Sequence, residues 1–321
     1  MHAFPLFFPV ADGSVLRLRL PGGRIPVGGW EQLADLAESG DGQVQLTSRG
    51  NLQVRGVDTA GTPPGNLAGT GFSPGPSIIA SPLARLDPLV DALEIRLART
   101  AASSRLLLGV DDGSGDILAE RPDLGLQVVE SGARLIEHGQ LVGEPQETAL
   151  LLDQIAAAAS DCTPQSRPAR SGSGSPLPPV GWLPAADGSV TLGAGLPLGM
   201  LDAKVARMLG VIDVETTATP WRSLLIHDLS ESVAEQVVRV LAPLGLIFDA
   251  NSPLLRVSAC IGLPSCRHAL SDVRADALQA AVSGAPGRLH FVGCARNCGR
   301  PRQEHTLYQA TGDGEYEVLE P

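Results

Sequence analysis

Lysine is nearly absent from this chain. Of 24 lysine and arginine residues, Lys204 is the only lysine. A bias toward Ala, Gly, Pro and Arg accompanies GC-rich coding, but arginine is also the better fork for carboxylates. Aromatic residues make up only 3 %, which excludes a stacking platform for nucleic-acid bases. A formal net charge of −11 argues the same way, since a nucleic-acid footprint is basic. No apolar run approaches the length of a membrane span. The N-terminal MHAFPLFFPVADG has no basic lead-in, no long apolar stretch and no small-residue cleavage site. These absences predict a soluble, cytoplasmic protein with no nucleic-acid and no membrane partner.

Cysteine is scarce too, but it is grouped. Four of the five cysteines lie near the C-terminus as Cys260, Cys266, Cys294 and Cys298. The pattern is C-x5-C, then 27 residues, then C-x3-C. Four thiolates are the donor set of an iron–sulfur cluster. Structural zinc usually takes tighter pairs. Disulfides need an oxidising compartment. The spacing favours the cluster and leaves zinc and disulfides as alternatives. Both pairs follow strand-like segments, LLRVSA before Cys260 and RLHFVG before Cys294. Groups at the C-terminal ends of adjacent strands converge. Gly262, Gly293 and Gly299 suit close approach of a cluster to the backbone. Cys162 falls in a polar stretch and reads as an incidental thiol.

The chain repeats itself. ADGSVLRLRLPGGRI (11–25) is echoed by ADGSVTLGAGLPLGM (186–200). In each copy a helix-like segment follows, then a strand, a turn and a strand. Thr47-Ser48-Arg49 of the first copy aligns with Pro220-Trp221-Arg222 of the second. Repetition on this scale indicates a duplicated domain. Between the copies, TPQSRPARSGSGSPLPP (163–179) has the composition of a linker. Helical periodicity marks DPLVDALEIRLART, QETALLLDQIAAAA, SESVAEQVVRVLAPLG and ADALQAAVSG. Ser230 is placed to cap the third of these. Strands alternate with helices throughout, so the class is α/β or α+β.

TSRGNLQVRG sets Arg49, Asn51, Gln53 and Arg55 at every second position, with Leu52 and Val54 between. On a strand the four polar residues share one face. Such a face can grip a polyanion through charge-assisted hydrogen bonds. An ordinary solvated strand face has the same pattern. Arg222 in the second copy, with Arg17 and Arg19, would extend the cationic surface. His268 reads as a bystander near the thiols, and His227 and His290 as packed residues. Asp111-Asp112 before glycine reads as a turn.

The cysteine pattern, the TSRGNLQVRG strand and the doubled architecture resemble the siroheme-dependent nitrite and sulfite reductase superfamily. The resemblance spans nearly the whole chain. It implies duplicated halves, each a ferredoxin-like half-domain plus an α/β domain. The boundaries would be 1–75 and 76–160, a linker at 161–179, then 180–250 and 251–321. It implies a 4Fe-4S cluster on Cys260, Cys266, Cys294 and Cys298. The motif T-x-R-x-x-x-Q corresponds to Arg49 and Gln53.

Within that superfamily, CIGLPSCRHAL, VGCARNC and IIASPLARLDP are most similar to the precorrin-3B synthase branch of aerobic cobalamin biosynthesis. That likeness implies an oxygen-dependent monooxygenase that hydroxylates precorrin-3A and forms a lactone. Its tetrapyrrole substrate is an anion, which would be bound by Arg49, Gln53, Arg55, Arg105 and Arg222. The likeness also implies O2, an electron donor (NAD(P)H through a reductase, or a ferredoxin) and an additional non-haem iron. No His/carboxylate set with facial-triad character stands out for that iron. Siroheme would be a cofactor only if the chain were a nitrite or sulfite reductase. Reductases of the superfamily carry a lysine-rich strand where this chain has SSRLLLGVDDG. Arg105 stands for one lysine and Leu107 for another. Neither delivers protons readily, which argues against six-electron reduction.

Overall fold

The computed structural model of the protein describes residues 7–10, 13–57, 73, 75–164, 178–185, 187–301 and 303–320. Most of the expected linker, 165–177, lies outside the described residues.

The first repeat contains β1 (Phe7–Val10), β2 (Gly13–Leu18), β3 (Arg24–Ile25), α1 (Gly29–Glu38), β4 (Gln43–Leu46) and β5 (Leu52–Arg55). Strand alternation builds it. Val44, Leu46, Leu52 and Val54 point into the core, and Gln45, Gln53 and Arg55 point away from it. Next come β6 (Ser77–Ala80), α2 (Asp87–Leu97), β7 (Leu107–Asp111), α3 (Asp116–Ala119) and β8 (Leu124–Val129). A meander of β9 (Gly132–Glu137) and β10 (Gln140–Gln146), then α4 (Thr148–Ala158), closes this half. Cys162 follows α4 and packs against that unit's core, so it belongs to the folded body and not to the linker.

The second half repeats the plan with β11 (Gly181–Pro184), β12 (Val190–Gly195), β13 (Met200–Asp202), α5 (Ala203–Ile212), β14 (Thr216–Ala218), β15 (Ser223–Leu229) and α6 (Glu231–Leu241). Then follow β16 (Val257–Ala259), α7 (Val273–Val282), β17 (Leu289–Val292), β18 (Thr306–Gly312) and β19 (Glu315–Leu319). Ser230 caps α6, its Oγ accepting from the Val233 amide at 3.4 Å. Asp202 and Asp272 cap α5 and α7 in the same way.

The two repeats exchange a strand. The first sheet runs β1-β2-β5-β4-β13 and the equivalent second sheet β11-β12-β15-β14-β3. Each half therefore donates its third strand to the other half's sheet. Met200 pairs with Gln45, and Thr217 pairs with Arg24. Beneath both sheets lies one shared core, with Leu16, Trp30 and Leu33 from one repeat and Leu192, Leu209 and Leu224 from the other. Each large side chain buried there contributes roughly 1.5–3 kcal/mol. Across the seam, Trp30 Nε1 donates to Thr216 Oγ1 at 2.8 Å.

The other two sheets run β10-β9-β8-β7-β6 and β16-β17-β18-β19. In each, the first strands are parallel and joined by a crossover helix, which lines their C-terminal ends along one edge. Asn51 ties the first antiparallel sheet to its α/β neighbour. Its Oδ1 accepts from the Leu20 amide at 3.0 Å, and its Nδ2 donates to Ser77 Oγ at 2.9 Å. Asn51 is 7 % exposed, so it is chiefly a structural clamp at the wall of the groove described below. Asn51→Ala should cost about 2–4 kcal/mol, because two buried groups lose partners. Urea denaturation of wild type and variant measures that difference.

Candidate functional site

The two thiol pairs meet where strand order requires. Cys260 follows β16 directly, and Cys294 follows the adjacent parallel β17 after Gly293. Cys260, Cys266, Cys294 and Cys298 all line one cavity of about 460 Å³. None is disulfide-bonded. Gly293 donates its amide to Cys260 Sγ at 3.2 Å. A Cβ at Gly293 would stand 2.5 Å from that of Ala269, so no side chain fits there. Burial raises the Cys260 thiol's pKa, partly offset by the Gly293 and Gly262 amides. Among the described residues, no three of the four sulfurs lie within 4.8 Å of one another. Thiolates on a single tetrahedral zinc would lie about 3.8 Å apart, from a Zn–S bond near 2.3 Å. Four separate thiols spread around one cage have the donor chemistry of a four-iron cluster.

His290 supports the cysteine loop from below. It is fully buried; its Nε2 donates to the Cys298 carbonyl at 3.2 Å, and its Nδ1 faces Ser258 Oγ at 2.9 Å. Burial brings its pKa down to about 3, so it is neutral. It packs, as expected, but it also orients the loop that carries Cys298. His268 lines the thiol cavity itself.

The arginines gather on the other side of that cavity. Arg17, Gln45, Gln53, Arg222 and Gly299 line both the thiol cavity and an adjoining groove of about 550 Å³. The groove continues past Arg19, Arg49 and Arg105, and Arg55 lines the thiol side. Arg17, Gln53 and Gln45 stand in one row across β2, β5 and β4. Gln53 Nε2 donates to Gln45 Oε1 at 2.9 Å. The guanidiniums crowd one another. Burial first and Arg55 second lower the pKa of Arg17; burial and then Arg17 lower that of Arg19. Like charges held together in a cleft focus a field that attracts anions.

Two expectations need correction. First, Arg49 is not on the strand, because β5 begins at Leu52. Arg49 sits in the preceding turn and donates from Nη1 to the Arg105 carbonyl at 2.9 Å. Second, Arg222 is not the counterpart of Arg49. The Thr47 amide closes the first turn onto Asn51 O at 2.8 Å, and the Thr219 amide closes the second onto Ser223 O at 2.9 Å. Thr47 thus matches Thr219, Arg49 matches Trp221, and Gly50 matches Arg222. Backbone conformation agrees, with φ of 62° at Gly50 and 61° at Arg222. Aligning the two arginines shifts the true register by one residue. Leu107 opens β7 and is buried with Ile79 and Ile117, whereas Arg105 lies in the turn before it and lines the groove.

Arg222 sits at the junction. It lines the thiol cavity, the groove and a third cavity beyond. Its Nη2 donates to the Gly299 carbonyl at 3.3 Å, one residue past Cys298. Gly199 leaves room for its stem; a Cβ there would meet Arg222 Cδ at 2.8 Å. Gln45 was missing from the sequence-based set. The hairpin closed by Thr47 and Asn51 fixes the pairing of Gln45 with Gln53, so its turn length carried the signal.

Asp111, Asp112 and Asp116 form the one group of His, Cys, Asp or Glu side chains among the described residues close enough for an ion. Asp111 is saturated: its oxygens accept from the amides of Gly113, Gly115, Ile117 and Leu118 and from Gln127 Nε2. It organises the turn that starts α3.

His227, on β15, lines neither the thiol cavity nor the groove, and its Nε2 is 2.8 Å from Thr217 Oγ1. Burial first and Arg85 second hold its pKa below the usual histidine value. The unfolded chain takes a proton at about 6.5 and the folded chain resists it. Stability is therefore full above that pH and is lost as pH falls toward the lowered folded value, by at most about 1.4 kcal/mol per pH unit. Urea midpoints between roughly pH 7 and pH 5 should fall less steeply in His227→Gln than in wild type.

Known proteins agree with this architecture. Residues 9–64 match the model of the nitrite/sulfite reductase ferredoxin-like half domain. A precorrin-3B synthase from Sinorhizobium sp is 26 % identical over 368 aligned positions, covering 93 % of this chain and 78 % of the relative. The solved structure of the Mycobacterium tuberculosis NirA protein superposes with a TM-score of 0.67 at 15 % identity, covering 96 % of this chain and 74 % of that one. Among the described residues no helix is long and apolar enough to cross a membrane. Reciprocal strand exchange, the half-domain match over residues 9–64 and the likeness to these two proteins show a nitrite/sulfite reductase-like fold.

Proposed function

We propose that this chain is an oxidoreductase of the precorrin-3B synthase type, acting on an anionic tetrapyrrole laid along the arginine groove against a 4Fe-4S cluster. The observation that carries the reading is continuity: the cavity lined by Cys260, Cys266, Cys294 and Cys298 opens through Arg17, Gln53 and Arg222 into a cleft whose cations are all arginine. A bound cluster would supply single electrons. The arginines would bind peripheral carboxylates by charge-assisted hydrogen bonds. Gln45 and Gln53 would sit under the ring edge and fix its register. The crowding of Arg17, Arg19 and Arg55 would be relieved once carboxylates arrive.

The reaction would place one oxygen atom of O2 on precorrin-3A and close a lactone. The other atom would leave as water, with two electrons from an external donor. The same groove, continuous with the thiol cavity, would suit siroheme as a second reading. Proton supply argues against it. Lys204 is exposed on α5 and lines none of these cavities, so the cleft contains no lysine to deliver protons. A single-turnover incubation with precorrin-3A, O2 and a reductant tests the proposal. Appearance of the hydroxylated lactone supports it. Substrate bound and returned unchanged, under conditions where the cluster is reduced, would overturn it.

A further inference from the structure

A third cavity, of about 420 Å³, opens on the side of Arg222 away from the thiols. It lies at the amino ends of β16 and β17, whereas the cysteines lie at their carboxyl ends. One arginine immediately precedes each strand: Arg256 before β16 and Arg288 before β17. Val257 pairs with Leu289, so the two arginines are lateral neighbours on parallel strands, about 5 Å apart at the backbone. Both line this cavity and a smaller one beside it.

Among the described residues no carboxylate lies within salt-bridge distance of either arginine. Burial and then repulsion from Arg256 act on the Arg288 guanidinium, and no carboxylate opposes them. Arg300 adds a further cation to a wall that also carries Arg49 and Arg222, its Nε donating to His305 Nε2 at 3.2 Å. The single acid on the wall, Glu120, is engaged by Trp221 Nε1 at 3.0 Å. Two adjacent guanidinium forks with no counter-ion among the described residues are shaped for two adjacent anionic groups.

We propose that this cavity is a second anion site, adjoining the macrocycle groove across Ser48, Arg49 and Arg222, for a small molecule bearing two neighbouring phosphate or carboxylate groups. It rests on Arg256 and Arg288 and is independent of what the groove binds. The test is calorimetric titration of the full chain with inorganic pyrophosphate, with succinate, and with an octacarboxylic porphyrin as a probe of the groove. Pyrophosphate or succinate should bind at one site, and whichever binds more tightly identifies the anion class. Arg256→Gln with Arg288→Gln should weaken that binding by about tenfold or more. Arg55→Gln should change it less than about twofold. The porphyrin should show the opposite pattern. Arg256→Gln alone, at an exposed position, gives the same direction if the double variant folds poorly. Neither probe binding at roughly millimolar concentration, or Arg55→Gln weakening the small anion as strongly as the double variant, would overturn the proposal.

Discussion

Cys294→Ser should yield a folded chain without its visible chromophore. Serine keeps the shape of the side chain but is a poor ligand for iron at neutral pH, and a cluster bound by four thiolates rarely survives loss of one. Iron and sulfide should fall from about four each per chain toward zero. The broad visible absorbance should go with them. Far-UV circular dichroism should change little, because Cys294 lies in a loop after β17 and belongs to none of the hydrophobic cores. Cys162→Ser is the internal control. It packs beside α4 in the other half, so cluster content should be unaffected. Equal loss in both variants would mean that the thiols serve folding and not a cluster.

Arg222→Gly separates charge from backbone. A non-glycine residue at φ of 61° is strained by about 1 kcal/mol or more, and the first repeat has glycine at the matching place. Glycine there should leave the midpoint of denaturation unchanged or slightly raised. The guanidinium, however, lines all three cavities and touches the loop after Cys298. Its removal should weaken binding of a carboxylated tetrapyrrole by roughly tenfold to a hundredfold, the effect of one or two charged hydrogen bonds. Equilibrium titration followed by the tetrapyrrole's visible bands gives both numbers. Unchanged affinity would mean that Arg222 only props the loop.

What the chain's pattern revealed, and what it hid, follows from range. The convergence of the thiols was legible because two local signals, a strand and a following cysteine, occur twice. The alternating set at Gln53 and Arg55 was legible for the same reason, since period 2 is local. Arg49 misled because alternation was carried through a turn, where it no longer governs which way a side chain points. The shifted match of Arg222 to Arg49 arose from pairing like residues, while the backbone pairs Thr219 with Thr47 through the same turn-closing hydrogen bond. The exchange of β3 and β13 was hidden altogether. Strands of two and three residues carry almost no pattern, and their partners lie more than 150 residues away. LLRVSA was expected as one strand, but Pro253–Arg256 forms a 3-10 turn and only Val257–Ala259 pairs. That turn is what brings Arg256 level with Arg288.

The central claim is that the arginine cleft faces an iron–sulfur cluster with no resident siroheme. The visible spectrum of the chain purified under nitrogen, read with its iron and sulfide content, tests this most directly. The account predicts one broad absorbance shoulder, no Soret band, and about four irons with about four sulfides per chain, or one further iron if a separate catalytic ion is present. A strong Soret band with red bands, or zinc in place of iron, would contradict it.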